Sequence, residues 1–315
     1  MTSLAVERYA PSMRAAWDHL VQRSKNGTFL FLRGYMEYHQ DRFRDGSLVV
    51  HDEKGSLIAL LPANRRGSVL ESHGGLTYGG FVVDRTMTLR RMLDVVAAVL
   101  AHLRDQAISS LRYKAVPHIY HRAPAEEDLY ALAQYGARLE RRAALSVFDR
   151  SAGIAPQTRR RRGLRKAQAA GLTARESLAL AEYWDLLTGV LQKSYNNAPV
   201  HSFAEIRDLR DRFPDNIRLF ACFQGSRMVA GSLIYETETV ARTQYIAASD
   251  EGKDLSALDL LFDVLFHEVY RDKRYLDLGT SEGLQGMGLN DGVLEFKEGF
   301  GARTLAQDTY EISVP

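Results

Sequence analysis

Two parts of the chain show the same succession of apolar patterns. Alternating apolar positions predict strands, and apolar positions that recur every three or four residues predict a helix. In the first half the patterns predict strands at residues 47–51, 56–62, 69–72 and 110–116, with a helix at 88–103 before the last strand. In the second half they predict strands at 218–223, 228–235, 243–248 and 275–278, with a helix at 255–270 before the last strand. This shared order favours a duplicated unit over a chance series of elements common in α/β proteins.

Each half also has a hairpin turn between its first two strands. The turns are Asp52-Glu53-Lys54-Gly55 and Gln224-Gly225-Ser226, and their glycines accept the backbone angles that tight turns need. The sequence therefore predicts an α/β (α+β) fold of two tandem domains, residues 1–150 and 151–315. Each domain is expected to hold a mixed, mostly antiparallel sheet flanked by helices.

The amino-acid composition excludes several classes of protein and of binding site. The 315 residues include 41 basic and 39 acidic side chains, which gives a net charge of +2. The overall charge therefore does not indicate that the protein binds nucleic acid or an anionic membrane. Cys222 is the only cysteine, so an intramolecular disulfide and a multi-cysteine zinc site are excluded, and no metal site is predicted. No apolar run approaches the roughly 18 residues of a membrane span. We expect a cytoplasmic protein; the sequence does not predict its oligomeric state.

Two motifs carry a resemblance to a known family. The segment 158–172 reads TRRRRGLRKAQAAGL, and the segment 296–301 reads FKEGFG after DLGTS at 277–281. They resemble two features of the Fem-type peptidyltransferases of the GNAT superfamily: a basic helix of the form R-R-x-x-R-K-A-x-x-x-G-[LV] where the second domain begins, and an F-K-x-x-F-G signature. The resemblance spans nearly the whole chain and is least specific in the N-terminal domain. It implies that both predicted domains are GNAT-like.

The resemblance also implies an activity. It is the transfer of an acyl or aminoacyl group, from a thioester or ester donor, to an amine of a sugar or small metabolite. Such a reaction needs a donor aimed at the carbonyl oxygen that becomes negative. The lysine of the Fem signature is thought to stabilise that charge, and the matching residue here is Lys297. The alternative is a surface lysine on a helix between Glu295 and Glu298.

Other residues are candidates for moving protons. Asp277 ends a predicted strand, Glu282 lies just beyond it, and His201 titrates near neutrality without special tuning. A lone histidine is more often structural. Tyr245 and Tyr310 are candidate proton donors to a leaving group, although a strand tyrosine usually serves packing.

Binding candidates fall into two groups. For the acceptor we name aromatic residues, a glycine-rich loop (residues 72–80) and polar residues near the C-terminal motif: Tyr35, Tyr38, His73, Tyr78, Asn290 and Arg303. For phosphates of the donor we name residues of the basic segment and of the loop before the second predicted helix: Arg159, Arg162, Arg165, Lys166, Gly252 and Lys253. The alternative for the basic segment is a solvated helix face.

Acyl-CoA is the predicted donor and aminoacyl-tRNA is the alternative, and no tightly bound cofactor is predicted. The duplicated GNAT-like order favours acyl-CoA, whereas the Fem-type motif and the basic segment favour aminoacyl-tRNA. The loop at 250–256 has one glycine and three acidic residues, which counts against CoA there. A different class of function is a non-catalytic binder of nucleic acid or of a small ligand. The working interpretation assigns the acceptor to the first domain and the donor, with catalysis, to the second.

Overall fold

The computed structural model describes residues 4–72, 74–283 and 288–314. Up to residue 149 the elements are β1 (Ala5–Arg8), α1 (Arg14–Arg23), α2 (Arg33–Met36), β2 (Leu48–His51), β3 (Leu57–Leu61), β4 (Asn64–Arg66), β5 (Val69–Glu71), β6 (Val82–Val83), α3 (Leu89–Asp105), β7 (Ser110–Lys114), α4 (Glu127–Gln134) and β8 (Arg138–Asp149). The remaining elements are α5 (Thr158–Ala169), β9 (Thr173–Glu176), α6 (Leu180–Tyr195), α7 (Phe203–Arg212), β10 (Ile217–Gln224), β11 (Arg227–Glu236), β12 (Val240–Ala248), α8 (Asp250–Asp254), α9 (Ala257–Val264), β13 (Tyr275–Thr280), α10 (Asp291–Gly299) and β14 (Arg303–Ser313).

The chain forms two compact units. The first comprises Met1–Ala143 together with Ala306–Pro315, and the second comprises Ala144–Leu305. Strands β8 and β14 each contribute residues to both units. The division at residue 150 into two domains with separate roles stays a prediction.

The first unit contains two groups of hydrogen-bonded strands and the long helix α3. One sheet has the order β1-β2-β3-β6 with antiparallel neighbours, and a second run of strands has the order β4-β5-β7-β14, in which β5 and β7 are parallel. Thr88 is the N-cap of helix α3, and its hydroxyl accepts a bond from the Arg91 N–H. Its apolar stripe, which includes Val96 and Val99, packs into a core with Val50 and other strand residues.

In the second unit, strands follow the order β8-β13-β12-β11-β10-β9, with β12 and β13 parallel and the other neighbours antiparallel. Helix α9 packs on this sheet and α5 packs on α9. The core contains a group of aromatic residues: the rings of Phe262 and Phe300 lie 5.0 Å apart, and those of Phe148 and Phe266 lie 4.7 Å apart. The sheet therefore has a rigid apolar support on the face that α9 covers.

The predicted order of strands and helices is confirmed in both halves, and the mixed α/β fold with helices beside the sheets is confirmed as well. One boundary was wrong. The helix predicted at 255–270 begins only at Ala257, because Ser256 has a left-handed backbone (φ 59°), and it ends in a π-helical turn, Leu265–Val269. Among the described residues, no helix is long and apolar enough to cross a membrane.

Candidate active site

Lys297 lies on α10, and its ammonium is buried against the end of β13. The residue is 4% exposed, and Nζ donates hydrogen bonds to the carbonyl oxygens of Gly279 (3.1 Å) and Thr280 (2.6 Å). Burial lowers the pKa of Lys297 from 10.5 to about 8, while nearby Asp277 raises the pKa and nearby Arg242 lowers it. The structure thus holds a partly desolvated cation at the carboxyl end of a strand.

The start of α10 is tied to the segment after β13. Asn290 is the N-cap: its Oδ1 accepts a bond from the Val293 N–H (3.1 Å), and its own N–H donates to the Ser281 carbonyl (2.8 Å). These bonds fix the helix that carries the lysine. Asn290 therefore has a structural role at the site, and binding of acceptor by it stays a prediction. Arg303 is exposed at the start of β14 and donates to the Ala302 carbonyl (2.7 Å).

Asp277 organises the turn that presents the two carbonyls. It is fully buried and forms an ion pair with Arg242, its neighbour in the parallel pairing of β13 with β12. Its other oxygen accepts a bond from the Gly279 N–H (2.7 Å), and Gly279 has φ 74°, a conformation that glycine adopts easily. With both oxygens engaged, Asp277 is placed to position the Lys297 partners. A role as general base stays a prediction.

Glu282 lies two residues beyond Thr280 at the same strand end. One of its carboxylate oxygens accepts a bond from the Thr280 hydroxyl (3.0 Å), and its own N–H donates back to that hydroxyl (3.2 Å). It is partly exposed, unlike Asp277. Among the predicted carboxylates, Glu282 is therefore the one that solvent reaches, a property that a proton acceptor needs.

His201 pairs with Tyr245 on β12. His201 is 6% exposed, and its Nδ1 lies 2.7 Å from the Tyr245 hydroxyl, which also accepts a bond from the His201 N–H (3.3 Å). Trp184 packs edge-on against the Tyr245 ring at 5.5 Å. Burial raises the pKa of Tyr245, so its hydroxyl stays protonated across the neutral range. The two side chains are hydrogen-bonded to each other and His201 is buried, and a catalytic role for His201 stays a prediction.

Part of the basic segment serves packing within the second unit. Arg159 forms an ion pair with Glu295 on α10 and donates to the Glu295 carbonyl (2.6 Å). Arg160 bonds Asp259 (3.1 Å) and lies over the Phe296 ring, 4.5 Å from its centre. These contacts join α5 to α9 and α10, so Arg159 already has a partner for its charge.

The other side of α5 is a cationic surface. Arg162, Arg165 and Lys166 are exposed, and none of them has an ion pair with another residue of the described chain. Their spacing of three and four residues puts them on one helix face. We call these three residues the basic face. Like charges so close repel one another, and an anion bound there relieves the repulsion.

The loop before α9 does not offer an open phosphate site. Ser249 caps α8, its hydroxyl accepting a bond from the Gly252 N–H (3.0 Å), and acidic residues occupy the first turn. A Cβ on Gly252 would lie 2.1 Å from the Val229 carbonyl oxygen, so this glycine is needed for packing. Lys253 is exposed and bonds Asp250 (3.2 Å). Binding of donor phosphates by Gly252 and Lys253 stays a prediction, and the geometry gives it little support.

In the first unit, the predicted acceptor residues Tyr35, Tyr38 and Tyr78 each pack against other aromatic side chains. Tyr35 is 3% exposed and its ring lies 5.4 Å from the Tyr38 ring. Tyr78 is fully buried and donates a bond to the Thr28 hydroxyl (3.1 Å). His73 lies outside the described residues. Tyr35 and Tyr78 therefore pack in the interior of the first unit, and their contact with an acceptor stays a prediction.

Sequence reasoning missed Arg242, the ion-pair partner of Asp277. The two residues are separated in the chain by helices α8 and α9 and a π-helical turn, and only the register of two parallel strands brings them together. Arg242 is the one charged residue of strand β12, and a charge within a strand was the available signal. It marks a buried charge that needs a partner.

Comparison with known proteins agrees with this geometry. Residues 157–298 match the family described as acetyltransferase (GNAT) domain. The fold is similar to that of FemX, with a TM-score of 0.68 at 11% identity over 98% of this chain and 96% of FemX. It is also similar to the C-terminal domain of a putative lysylphosphatidylglycerol synthetase from Agrobacterium fabrum (TM-score 0.60, 13% identity, 96% and 92% of the two chains).

A third similar structure is a tandem GNAT protein from the clavulanic acid biosynthesis pathway (TM-score 0.52, 12% identity, 99% of each chain). No curated protein matches the chain significantly in sequence. The chain is an acyltransferase that carries an acetyltransferase (GNAT) domain at residues 157–298, and its fold is similar to that of FemX.

Proposed function

We propose that the protein transfers an acyl or aminoacyl group from an ester or thioester donor to an amine of a sugar or small metabolite. The observation that carries this proposal is the buried ammonium of Lys297, held by the Gly279 and Thr280 carbonyls. An ammonium has three N–H groups. Two of them are engaged by those carbonyls, and we assign the third to a substrate oxygen.

The chemistry follows from that third N–H. The amine nitrogen attacks the carbonyl carbon of the donor, the C=O electrons move to oxygen, and Lys297 donates a hydrogen bond to the resulting oxyanion. The intermediate then collapses, the bond to the leaving oxygen or sulfur breaks, and the nitrogen releases a proton to water or to a carboxylate such as Glu282. A charged donor in a partly desolvated site stabilises such an oxyanion more than it does in water.

For the donor, the local structure favours aminoacyl-tRNA. The N-terminus of α8 is capped by Ser249 and carries Asp250 in its first turn, which disfavours the phosphates of CoA at that place. The basic face, by contrast, offers exposed guanidinium and ammonium groups suited to a phosphate backbone. Acyl-CoA is the second candidate, and the match of residues 157–298 to the acetyltransferase (GNAT) family supports it.

The donor is tested by assaying the purified chain with charged tRNAs and, separately, with acyl-CoA thioesters, each with a panel of amine acceptors. We expect turnover with charged tRNA that ribonuclease abolishes. The double substitution Arg162→Gln/Arg165→Gln is expected to raise KM for the tRNA about tenfold and to make binding less dependent on salt, since two phosphate contacts are lost.

The control is Arg207→Gln/Arg271→Gln, which removes the same charge from exposed arginines elsewhere in the second unit. It is expected to leave KM unchanged. Turnover with acyl-CoA that survives ribonuclease would identify CoA as the donor. If neither donor supports turnover with any acceptor, the proposed reaction is wrong.

A further inference from the structure

A polar cavity of about 170 Å³ lies in the first unit, beside the segment that follows β5. Its lining residues among those described carry three positive side chains and one negative: Glu71, Ser72, Gly74, Arg112, Lys114, Arg141 and Thr309. A cavity of this size holds several waters, and therefore the oxygens of a small anionic group. None of these lining residues is among those that contact Lys297.

Strand pairing explains why the charges share one side of the sheet. Arg112 and Lys114 are two residues apart on β7, so both side chains leave the same face. Glu71 on β5 is opposite Arg112, and Thr309 on β14 is opposite Lys114. Tyr113, which lies between the two cations, is fully buried on the other face. The cavity floor is thus made of paired strands, which hold the charged groups in fixed positions.

Hydrogen bonds connect the residues at the edge of the cavity to the strands of its floor. Ser72 is 2% exposed, and its hydroxyl oxygen accepts a bond from the Lys114 N–H (2.8 Å), so the hydroxyl hydrogen can be donated to a bound group. Asn64 donates to the Glu71 carboxylate (3.2 Å) and accepts from the Gly74 N–H (2.7 Å). The loop beside the cavity is therefore tied to the strands that form its floor.

The balance of charge points to an anion. Arg112 bonds Glu140 (2.7 Å) and lies 3.9 Å from the Glu71 carboxylate. Lys114 and Arg141 also line the cavity, and the Lys114 ammonium donates a hydrogen bond to the Leu76 carbonyl (3.2 Å), so the lining carries three cationic side chains and one carboxylate, that of Glu71. Guanidinium and ammonium groups that converge with hydroxyl donors are a typical set of ligands for phosphate oxygens.

We propose that this cavity binds a phosphate group carried by the acceptor, with Arg112, Lys114 and Arg141 as the cationic ligands and the hydroxyls of Ser72 and Thr309 as additional donors. The assignment of the phosphate to the acceptor rests on the proposed function; the existence of the anion site does not. The phosphate belongs either to a soluble phosphate ester or to a lipid headgroup.

The site is tested by calorimetric titration of the full chain with inorganic pyrophosphate at low salt. We expect saturable binding to the wild type, and about tenfold weaker affinity for Lys114→Met and for Arg112→Met, because each loses a charge-assisted hydrogen bond. The matched control is Arg104→Met, an exposed arginine of α3 whose removal changes the net charge equally. It is expected to bind like the wild type. Thermal unfolding of each variant shows whether it is folded.

A second arm separates the two sources. Vesicles of phosphatidylglycerol are compared with vesicles of phosphatidylcholine: binding to the anionic vesicles that Lys114→Met weakens identifies a lipid headgroup, and no vesicle binding identifies a soluble ester. Absence of pyrophosphate binding to the wild type, or equal affinity of folded Lys114→Met and Arg104→Met, overturns the anion site. Because no turnover is measured, this outcome is independent of whether the chain transfers acyl groups.

Discussion

Substitution of Lys297 by methionine is expected to lower kcat by about 10²–10³-fold, the usual effect of removing one donor to an oxyanion. Methionine keeps much of the length and apolar character of the side chain, so it removes the charge with little change in packing. KM for the donor is expected to change little, since the lost interaction forms in the transition state. Steady-state kinetics with saturating acceptor measure both constants.

The same substitution is expected to leave stability unchanged or to raise it. The pKa of Lys297 in the folded protein, about 8, is below its usual 10.5, so the unfolded chain binds more protons between these values. The free energy of unfolding of the wild type therefore rises as pH increases from about 8 to 10.5, by about 3 kcal/mol. Below pH 8 the buried ammonium costs stability, and the methionine variant does not have this cost.

The control for this pair of measurements is Lys273→Met. Lys273 also donates to backbone carbonyls, of Thr237 (2.8 Å) and Glu238 (3.4 Å), but it has Glu236 as an ion-pair partner at 3.1 Å. Its loss is expected to leave kcat unchanged. Equal kcat for wild type and Lys297→Met would remove Lys297 from the mechanism.

Substitution of Asp277 by alanine is expected to lower the free energy of unfolding by about 3–5 kcal/mol, because it removes the carboxylate from a buried ion pair and leaves the Arg242 charge in the interior. Asp277 is 0% exposed and the Arg242 side chain 14%. The Gly279 N–H also loses its acceptor. Urea unfolding measures the change, and we expect kcat to fall as well because the carbonyls that hold Lys297 are displaced.

Two further variants serve as controls for the predicted loss of stability. Asp208→Ala breaks the exposed pair with Arg212 on α7, at 2.7 Å, and is expected to cost less than about 1 kcal/mol. The double substitution Asp277→Ala/Arg242→Met removes both buried charges and is expected to recover much of the lost stability. A loss below about 1 kcal/mol for Asp277→Ala would contradict the structural role assigned to this pair.

Local patterns predicted most elements of the fold. The hairpins β2–β3 and β10–β11 were predicted because each turn has its own residue chemistry between two alternating strands. The start of the helix predicted at 255–270 and its π-helical last turn were not. The left-handed backbone of Ser256 and the π-helical turn at Leu265–Val269 are changes of backbone conformation that a helical period of apolar residues does not report.

In the candidate site, too, some residues could be predicted from the local sequence and others could not. Lys297 could be named from the sequence because a short motif surrounds it. The Arg242–Asp277 pair and the Glu71–Arg112 pair could not, since each depends on the register of two parallel strands far apart in the chain. The alternation of Arg112, Tyr113 and Lys114 was visible, but nothing local shows which face of a strand meets a cavity.

The pH dependence of kcat/KM tests the central claim most directly, with an acceptor amine whose own pKa lies below the range examined, so that only the protein titrates. An ammonium that stabilises the oxyanion must be protonated, and kcat/KM reports the pKa of the free enzyme. The account therefore predicts that kcat/KM is constant at neutral pH and falls as pH rises through about 8, the pKa of Lys297. A kcat/KM that rises through the same pH, as a neutral lysine acting as a base requires, or that does not change there, would contradict it.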